Sequence, residues 1–302
     1  MRSPWAGHKR AVAAGALSLA CLAAPGRLSA EGDPKVPHGL DPGGVAIALI
    51  SDGVDYTDPE IAPRLARDGE GEPIALDLVD GDVRPYAPAG SGRGTELAKR
   101  LLATYRNGRL IVVRADPNDA QSLARAAMFV MRTPSRVAAV TFWGQTKDIW
   151  ESFSQVAQKS GNVLFVVPGG DVSARSAGVN FPAQLKIANV VSAVPFAPPK
   201  DQYAPAVGDE KIDAWVVAPG STMFGGGQSP GPRDSVEAAI LLAGQAGCSL
   251  EGNIGAELAE TASLKAALLA QARLVTVNGI SANVHDPLCW YGGIQFGEPG
   301  RF

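Results

Sequence analysis

The chain has 302 residues, 46% hydrophobic and 19% charged, with a formal net charge of −3, an ordinary globular composition. Its acidic balance argues against nucleic acid or an anionic membrane surface as the main partner. Residues 1–30 stand apart: Arg2, His8, Lys9 and Arg10 precede the apolar "AVAAGALSLACLAA", and "GRLSA" follows. A basic start, a short apolar run and a small-x-small ending at Ala30 read as a cleaved signal peptide. The run is short for a bilayer span. Cys21 raises the alternative of a lipoprotein signal, but Ser18 stands where such a signal prefers Leu. A periplasmic or secreted protein without a stable membrane span is therefore expected. Removing residues 1–30 leaves 272 residues and takes away four of the 27 basic residues and no acidic one. The mature balance is then 23 Lys+Arg against 30 Asp+Glu, or −7.

In chain order, residues 31–44 form a Pro/Gly-rich leader, and "VAIALI" (45–50) reads as a buried strand that stops at Ser51-Asp52-Gly53. "PIALDLV" (73–79) is a second strand. A helix over 94–106 carries Leu97, Leu101 and Leu102 at helical spacing. "RLIVVRAD" (109–116) is a strand, after which Asn118 or Asp119 caps a helix running to about Met131. "RVAAVTFWG" (136–144), "NVLFVVPGG" (162–170), "NVVSAVPF" (189–196) and "AWVVAPG" (214–220) are further strands, with a helix over about 147–159 between the first two. Helices over about 234–247 and 256–271 close the pattern, and the remainder reads as a tail. Near-continuous apolar strands alternating with amphipathic helices predict an α/β fold: a doubly wound, mostly parallel sheet covered on both faces. Residues 45–302 read as one such domain, and ligands of these sheets sit at the carboxyl ends of the strands.

Cys248 and Cys289 are the cysteines left after signal removal. In an oxidising compartment they are expected to form one disulfide, tying the tail to the loop after a helix. A metal pair lacks nearby histidines. "GGGQ" and "PGGD" lack the spacing and the following Lys-Ser/Thr of a phosphate loop. No cofactor is expected.

The strand ends carry a pattern. "VAIALISDGVDYTDPEI" (45–61) resembles the first block of subtilisin-like serine peptidases (subtilases), a strand ending Ile-Asp-Thr-Gly-Val-Asp before a turn. "RGTELAKRLLA" (93–103) resembles their His-Gly-Thr-His-Val-Ala-Gly block, "NVLFVVPGGD" (162–171) the strand ending Ala-Ala-Gly-Asn, and "NFPAQLKIANVVSAVPF" (180–196) the Tyr-Pro-Ala block. "DAWVVAPGS" (213–221) and "DSVEAAILLAG" (234–244) follow in the family's order. The resemblance covers residues 45 to about 270 and implies the subtilisin-like fold.

It also implies where an Asp-His-Ser triad and an oxyanion Asn would stand. Those positions hold Ser51, Arg93, Val236 and Asp171, so all four are substituted. Asp52 and Ser235 stand one residue off. A one-residue slip turns a strand side chain to the opposite face and a helical one by about 100°. The mature histidines, His38 and His285, read as solvated loop residues, and Arg93 keeps its proton at neutral pH. Sedolisins use Glu and Asp four residues apart on the same helix; here Arg100 follows Glu96, an exposed i,i+4 pair. Asp171 then reads as a loop or helix-cap acid, and Asp52 and Asp55 as acids satisfying loop N–H groups.

The expectation is an exported pseudopeptidase holding a protein or peptide partner of the cell envelope at a cleft. Its rim would draw on Phe142, Trp143, Gly144, Gly169, Gly170 and the 224–232 loop. The alternative is an active serine-type hydrolase with a rearranged site using Ser235, with Lys99 a conceivable base.

Overall fold

The computed structural model describes residues 32–88, 90–196, 212–217, 232–251, 261–277 and 280–287. The signal segment, most of the 224–232 loop and Cys289 lie outside them. Among the described residues nine strands form one sheet: β1 (Ala46–Ser51), β2 (Ala75–Asp77), β3 (Arg109–Arg114), β4 (Val137–Val140), β5 (Leu164–Pro168), β6 (Val190–Pro195), β7 (Ala214–Val216), β8 (Arg273–Val277) and β9 (Ile280–His285). Their order is β2-β3-β1-β4-β5-β6-β7-β9-β8, and every neighbouring pair is parallel except β8 with β9.

β1 explains why the strands read as unbroken apolar runs. All six of its residues are buried. Ala46, Ala48 and Ile50 pack into one core with α2 (Ala120–Val130) and α3 (Lys147–Ala157). Ile47 and Leu49 point the other way, into a core shared with α1 (Gly94–Thr104) and α5 (Ser235–Glu251). Strict alternation across a strand gives both faces a helix layer, so residues 46–50 are all apolar and the polar Ser51 comes only at the strand's end. Glycines bring α5 close: a Cβ at Gly247 would fall 2.5 Å from Ile47, and one at Gly244 would fall 2.6 Å from Thr104.

The chain leaves β1 to build β2 and β3 on one side and then crosses to β4 on the other. This reversal opens a crevice at the carboxyl ends of the strands, where a doubly wound sheet presents its site.

Three expectations need correction. Residues 273–285 are not a tail but the hairpin β8–β9, whose β9 lies beside β7. The hairpin was signalled by Asn278-Gly279 between two alternating runs. His285 is consequently a fully buried strand residue rather than a solvated one, whereas His38 is exposed in the leader. Cys248 lies inside α5, not in a loop after it. A short helix not anticipated, α4 (Val172–Ala177), follows β5, and α6 (Thr261–Ala270) packs on α5.

The leader is strapped to the domain mainly through its backbone oxygens. Tyr56 Oη donates to the Pro34 carbonyl at 2.7 Å, Arg67 Nη2 to that of Pro37 at 2.7 Å and Arg84 Nη1 to that of Asp33 at 3.3 Å. Asp41 adds a side-chain anchor, accepting from Arg109 Nη1 at 2.6 Å. Among the described residues no helix is long and apolar enough to cross a membrane.

Candidate functional site

The crevice begins at the end of β1. Ser51 is fully buried, and its hydroxyl accepts the Gly53 N–H at 3.2 Å, so it serves its own turn. Gly53 is needed there, with φ +105° and a Cβ that would lie 2.8 Å from Ala87. Asp52 turns toward α1, accepting the N–H of Arg93 at 3.1 Å and of Gly94 at 3.0 Å. Its carboxylate thus caps a helix from another element, satisfying donors that the first turn leaves open. Gly94 permits that approach, since a Cβ would lie 1.9 Å from the Gly53 carbonyl. Asp55 accepts the Thr57 N–H at 3.0 Å, as expected of a turn acid.

Arg93 reaches from the start of α1 to the start of α5. Its guanidinium donates to Asp234 at 2.6 Å and to Glu237 at 3.1 Å. Glu237 has no exposed surface. Arg100 pairs with it at 3.0 Å, and Arg233 contributes both its side chain at 2.5 Å and its backbone N–H at 2.9 Å. Arg233 also pairs with Glu96 at 2.7 Å. Three arginines and three acids therefore bridge the first turns of α1 and α5. Glu96 and Arg100, expected as a local pair, find their close partners across this junction instead. The hydrogen bond from Arg93 to Asp234 raises the guanidinium pKa further above its usual range.

Asp234 caps α5, accepting the Glu237 N–H at 3.0 Å. Ser235, the first residue of that helix, is buried, and among the described residues no group hydrogen-bonds its hydroxyl. Lys99 cannot assist it: its ammonium is held by Asp58 at 2.6 Å and Glu60 at 3.0 Å. The bond to Asp58 chiefly raises its pKa, which keeps the amine protonated. Val236 is a wall residue of the crevice.

Asp171 caps α4. One carboxylate oxygen accepts the Ala174 N–H at 2.7 Å and the Ser173 hydroxyl at 2.7 Å. The Ala174 N–H chiefly holds its pKa below the ordinary carboxylate value. It is a carboxylate acceptor consumed by its own helix, not a donor aimed at a substrate oxygen.

Between the ends of β4 and β5 the crevice is shut. Trp143 lies over Gly170, where a Cβ would come within 3.3 Å of the indole. Asn180 is fully buried behind it and donates to the Gly169 carbonyl at 2.7 Å. A Cβ on Gly169 would meet Val194 at 2.5 Å, so this glycine is a packing residue rather than a rim residue. Gly144 and Phe181 exchange two backbone hydrogen bonds, of 3.0 and 2.9 Å, which staple the segment in place.

On the other side, toward the end of β3, a cavity of about 330 Å³ stays open. Pro117, Asn118, Phe142, Trp143, Trp150 and Val236 are among its walls. The expected cleft residues thus divide: Phe142, Trp143 and Gly144 line open space, and Gly169 and Gly170 do not. Sequence reasoning missed Trp150, whose helical spacing reads as core, and the Asp234–Glu237 side of the ionic junction. The i,i+4 spacing of Arg233 and Glu237 was the available signal.

No protein-family model matches the sequence, and a search of curated proteins finds no match. Solved structures do match. The chain is similar to a cold adapted subtilisin-like serine proteinase at 17% identity and TM-score 0.56, covering 86% of this chain and 94% of that one. A lanthipeptide protease matches at 14% identity and TM-score 0.60, covering 82% and 87%. The nisin leader peptidase NisP from Lactococcus lactis matches at 12% identity and TM-score 0.54, covering 80% and 85%. At such identities the likeness speaks to architecture, and there it agrees with the strand order: the chain has the subtilisin-like fold.

Proposed function

We propose that this chain is an exported, non-catalytic subtilisin-fold protein that binds a protein or peptide partner of the cell envelope at its crevice. In this reading Ser51, Arg93, Val236 and Asp171 occupy the places of the orienting acid, base, nucleophile and oxyanion donor. The observation that supports it is Arg93: at the position that the resemblance assigns to the base, this reading has a protonated guanidinium tied to Asp234 and Glu237. A group that cannot release its proton at neutral pH cannot activate a serine. His285, on β9 at the far side of the sheet, and His38 in the leader supply no substitute. The signal segment 1–30, its cleavage and a Cys248–Cys289 disulfide belong to the same proposal.

The test is a fluorophosphonate probe applied to the chain lacking residues 1–30, with labelling read by intact mass and peptide mapping. The folded protein is expected to remain unlabelled. Stoichiometric labelling at Ser235, lost in Ser235→Ala, would overturn the proposal in favour of a rearranged hydrolase.

A further inference from the structure

The hairpin β8–β9 joins the rest of the sheet through a short seam. Five residue pairs, from Arg273 with Val284 to Val277 with Ile280, hold its own strands together. Among the described residues two pairs, Trp215 with Val284 and Val216 with His285, hold β9 to β7. One further bond crosses the seam, from the Val217 N–H to the His285 carbonyl at 3.0 Å. Five pairs within the hairpin against two outside it make the hairpin a unit that can part from β7 before its own strands separate.

The seam is also imperfect on both faces. On one, Ala282 and Val284 pack with Val194, Trp215 and Val217 in a small core separate from the two that flank β1. The indole N–H of Trp215 is buried there with no acceptor among the described residues. His285 is paired one position further on and so turns to the opposite face. It is fully buried, and neither of its ring nitrogens has a partner. Three nitrogens without partners weaken the seam, because opening it would return each of them to water.

No acid stands ready to hold a protonated His285 in place. β9 packs on β7 and β8. β7 has no titratable residue, and Asp213 just before it is engaged by Ser192 at 2.9 Å and by Lys265 of α6 at 3.4 Å. β8 brings Arg273, a cation, opposite Val284, and Asp286 follows His285 in the chain. On the face to which His285 turns, α5 carries Glu237, bound by three arginines, and Glu251, bound by Asn107. Burial alone moves the imidazole pKa, and it moves it down.

We infer that the β8–β9 hairpin is an acid-released flap: protonation of His285 undocks it from β7 as a unit, leaving β7 as an open edge of the sheet. The inference goes beyond the crevice and does not depend on how the crevice is used. Docked, His285 takes a proton only below about pH 4, whereas released it titrates near 6.5. Docking is therefore fullest above pH 6.5 and weakens as the pH falls toward 4.

The test is amide hydrogen exchange by NMR on the chain lacking residues 1–30, at pH 7 and pH 5. Rates are read as protection factors, which removes the intrinsic effect of pH on exchange. The Val217 N–H, bonded across the seam, is the reporter. Its protection is expected to fall about tenfold or more at pH 5. At both pH values it should stay well below that of β1, whose amides open only with the whole domain. In His285→Gln, which cannot titrate, the fall should vanish. A second reading needs no variant: in the unaltered chain the His285 ring resonance should titrate well below that of the exposed His38. Equal protection of Val217 and β1 would mean that the seam opens only by global unfolding, and would overturn the inference. So would unchanged Val217 protection at pH 5, an acid effect that persists in folded His285→Gln, or a His285 ring that titrates with His38.

Discussion

Two of the ionisable side chains buried at the carboxyl end of the sheet, Glu237 at the α1–α5 junction and His285 at the β7–β9 corner, are treated oppositely. Glu237 is surrounded by three guanidinium groups and a backbone N–H. His285 is as deeply buried, but neither ring nitrogen has a partner among the described residues. Burial alone lowers its pKa from 6.5 to about 4. The first group has its burial offset by ion pairs, and the second is kept neutral by solitude. The lesson is that the same loss of water can be met by pairing or by giving up the proton, and that the two solutions fail under different stresses.

Removing the company should have the largest effect. Glu237→Ala leaves Arg93, Arg100 and Arg233 without their shared counter-charge, and a cost of about 4 kcal/mol is expected in denaturant unfolding. Adding Arg100→Met should recover part of that loss, because it withdraws one of the three positive charges that faced the glutamate. A simple sum of the two single effects would mean that the junction is a set of independent pairs.

The solitary group should fail in acid. The unfolded chain binds a proton at His285 below pH 6.5, and the folded one only below about 4. Stability from this residue is therefore intact above pH 6.5 and falls as pH drops toward 4, by about 3 kcal/mol in total. Asp33, whose pKa is raised chiefly by burial, pulls the opposite way in part of that window. Asp41, Asp58 and Asp171, with lowered values, act below it. Subtracting the pH profile of His285→Gln isolates the histidine, and an identical slope in that variant would refute the assignment.

The smallest effect concerns the cap that precedes Arg93. Asp52→Ala frees the N–H groups of Arg93 and Gly94 and should cost about 1 kcal/mol. If Asp52 had chemistry to do, its loss would change reactivity toward the fluorophosphonate rather than the melting temperature.

Much of the fold was legible because Ala46–Ile50, Leu110–Val113 and Leu164–Pro168 are buried on both faces and are written in apolar residues. The hairpin β8–β9 was harder to read: Asn278-Gly279 signals its turn, but its strands mix Arg273, Thr276 and Asn283 with apolar positions at the edge of the sheet. Of the candidate site, the strand-end segments could be read one by one. The junction could not: Arg93 and Glu237 lie 144 positions apart, and a local spacing rule assigned Arg100 to Glu96 before Glu237 was known to be near. Phe142 and Trp143 advertised a cleft, but which side of Trp143 is open depends on Gly170 and Asn180, a matter of packing rather than of pattern.

The leader offers a last consequence. Tyr56, Arg67 and Arg84 all address its carbonyl oxygens, a feature every amino acid possesses. Such a strap is recognised by its path and not by its spelling. Pro34 and Pro37 can therefore be exchanged while the leader stays docked, provided the chain keeps its course, whereas Val36, which packs on the core, and Asp41 are the letters that must be retained.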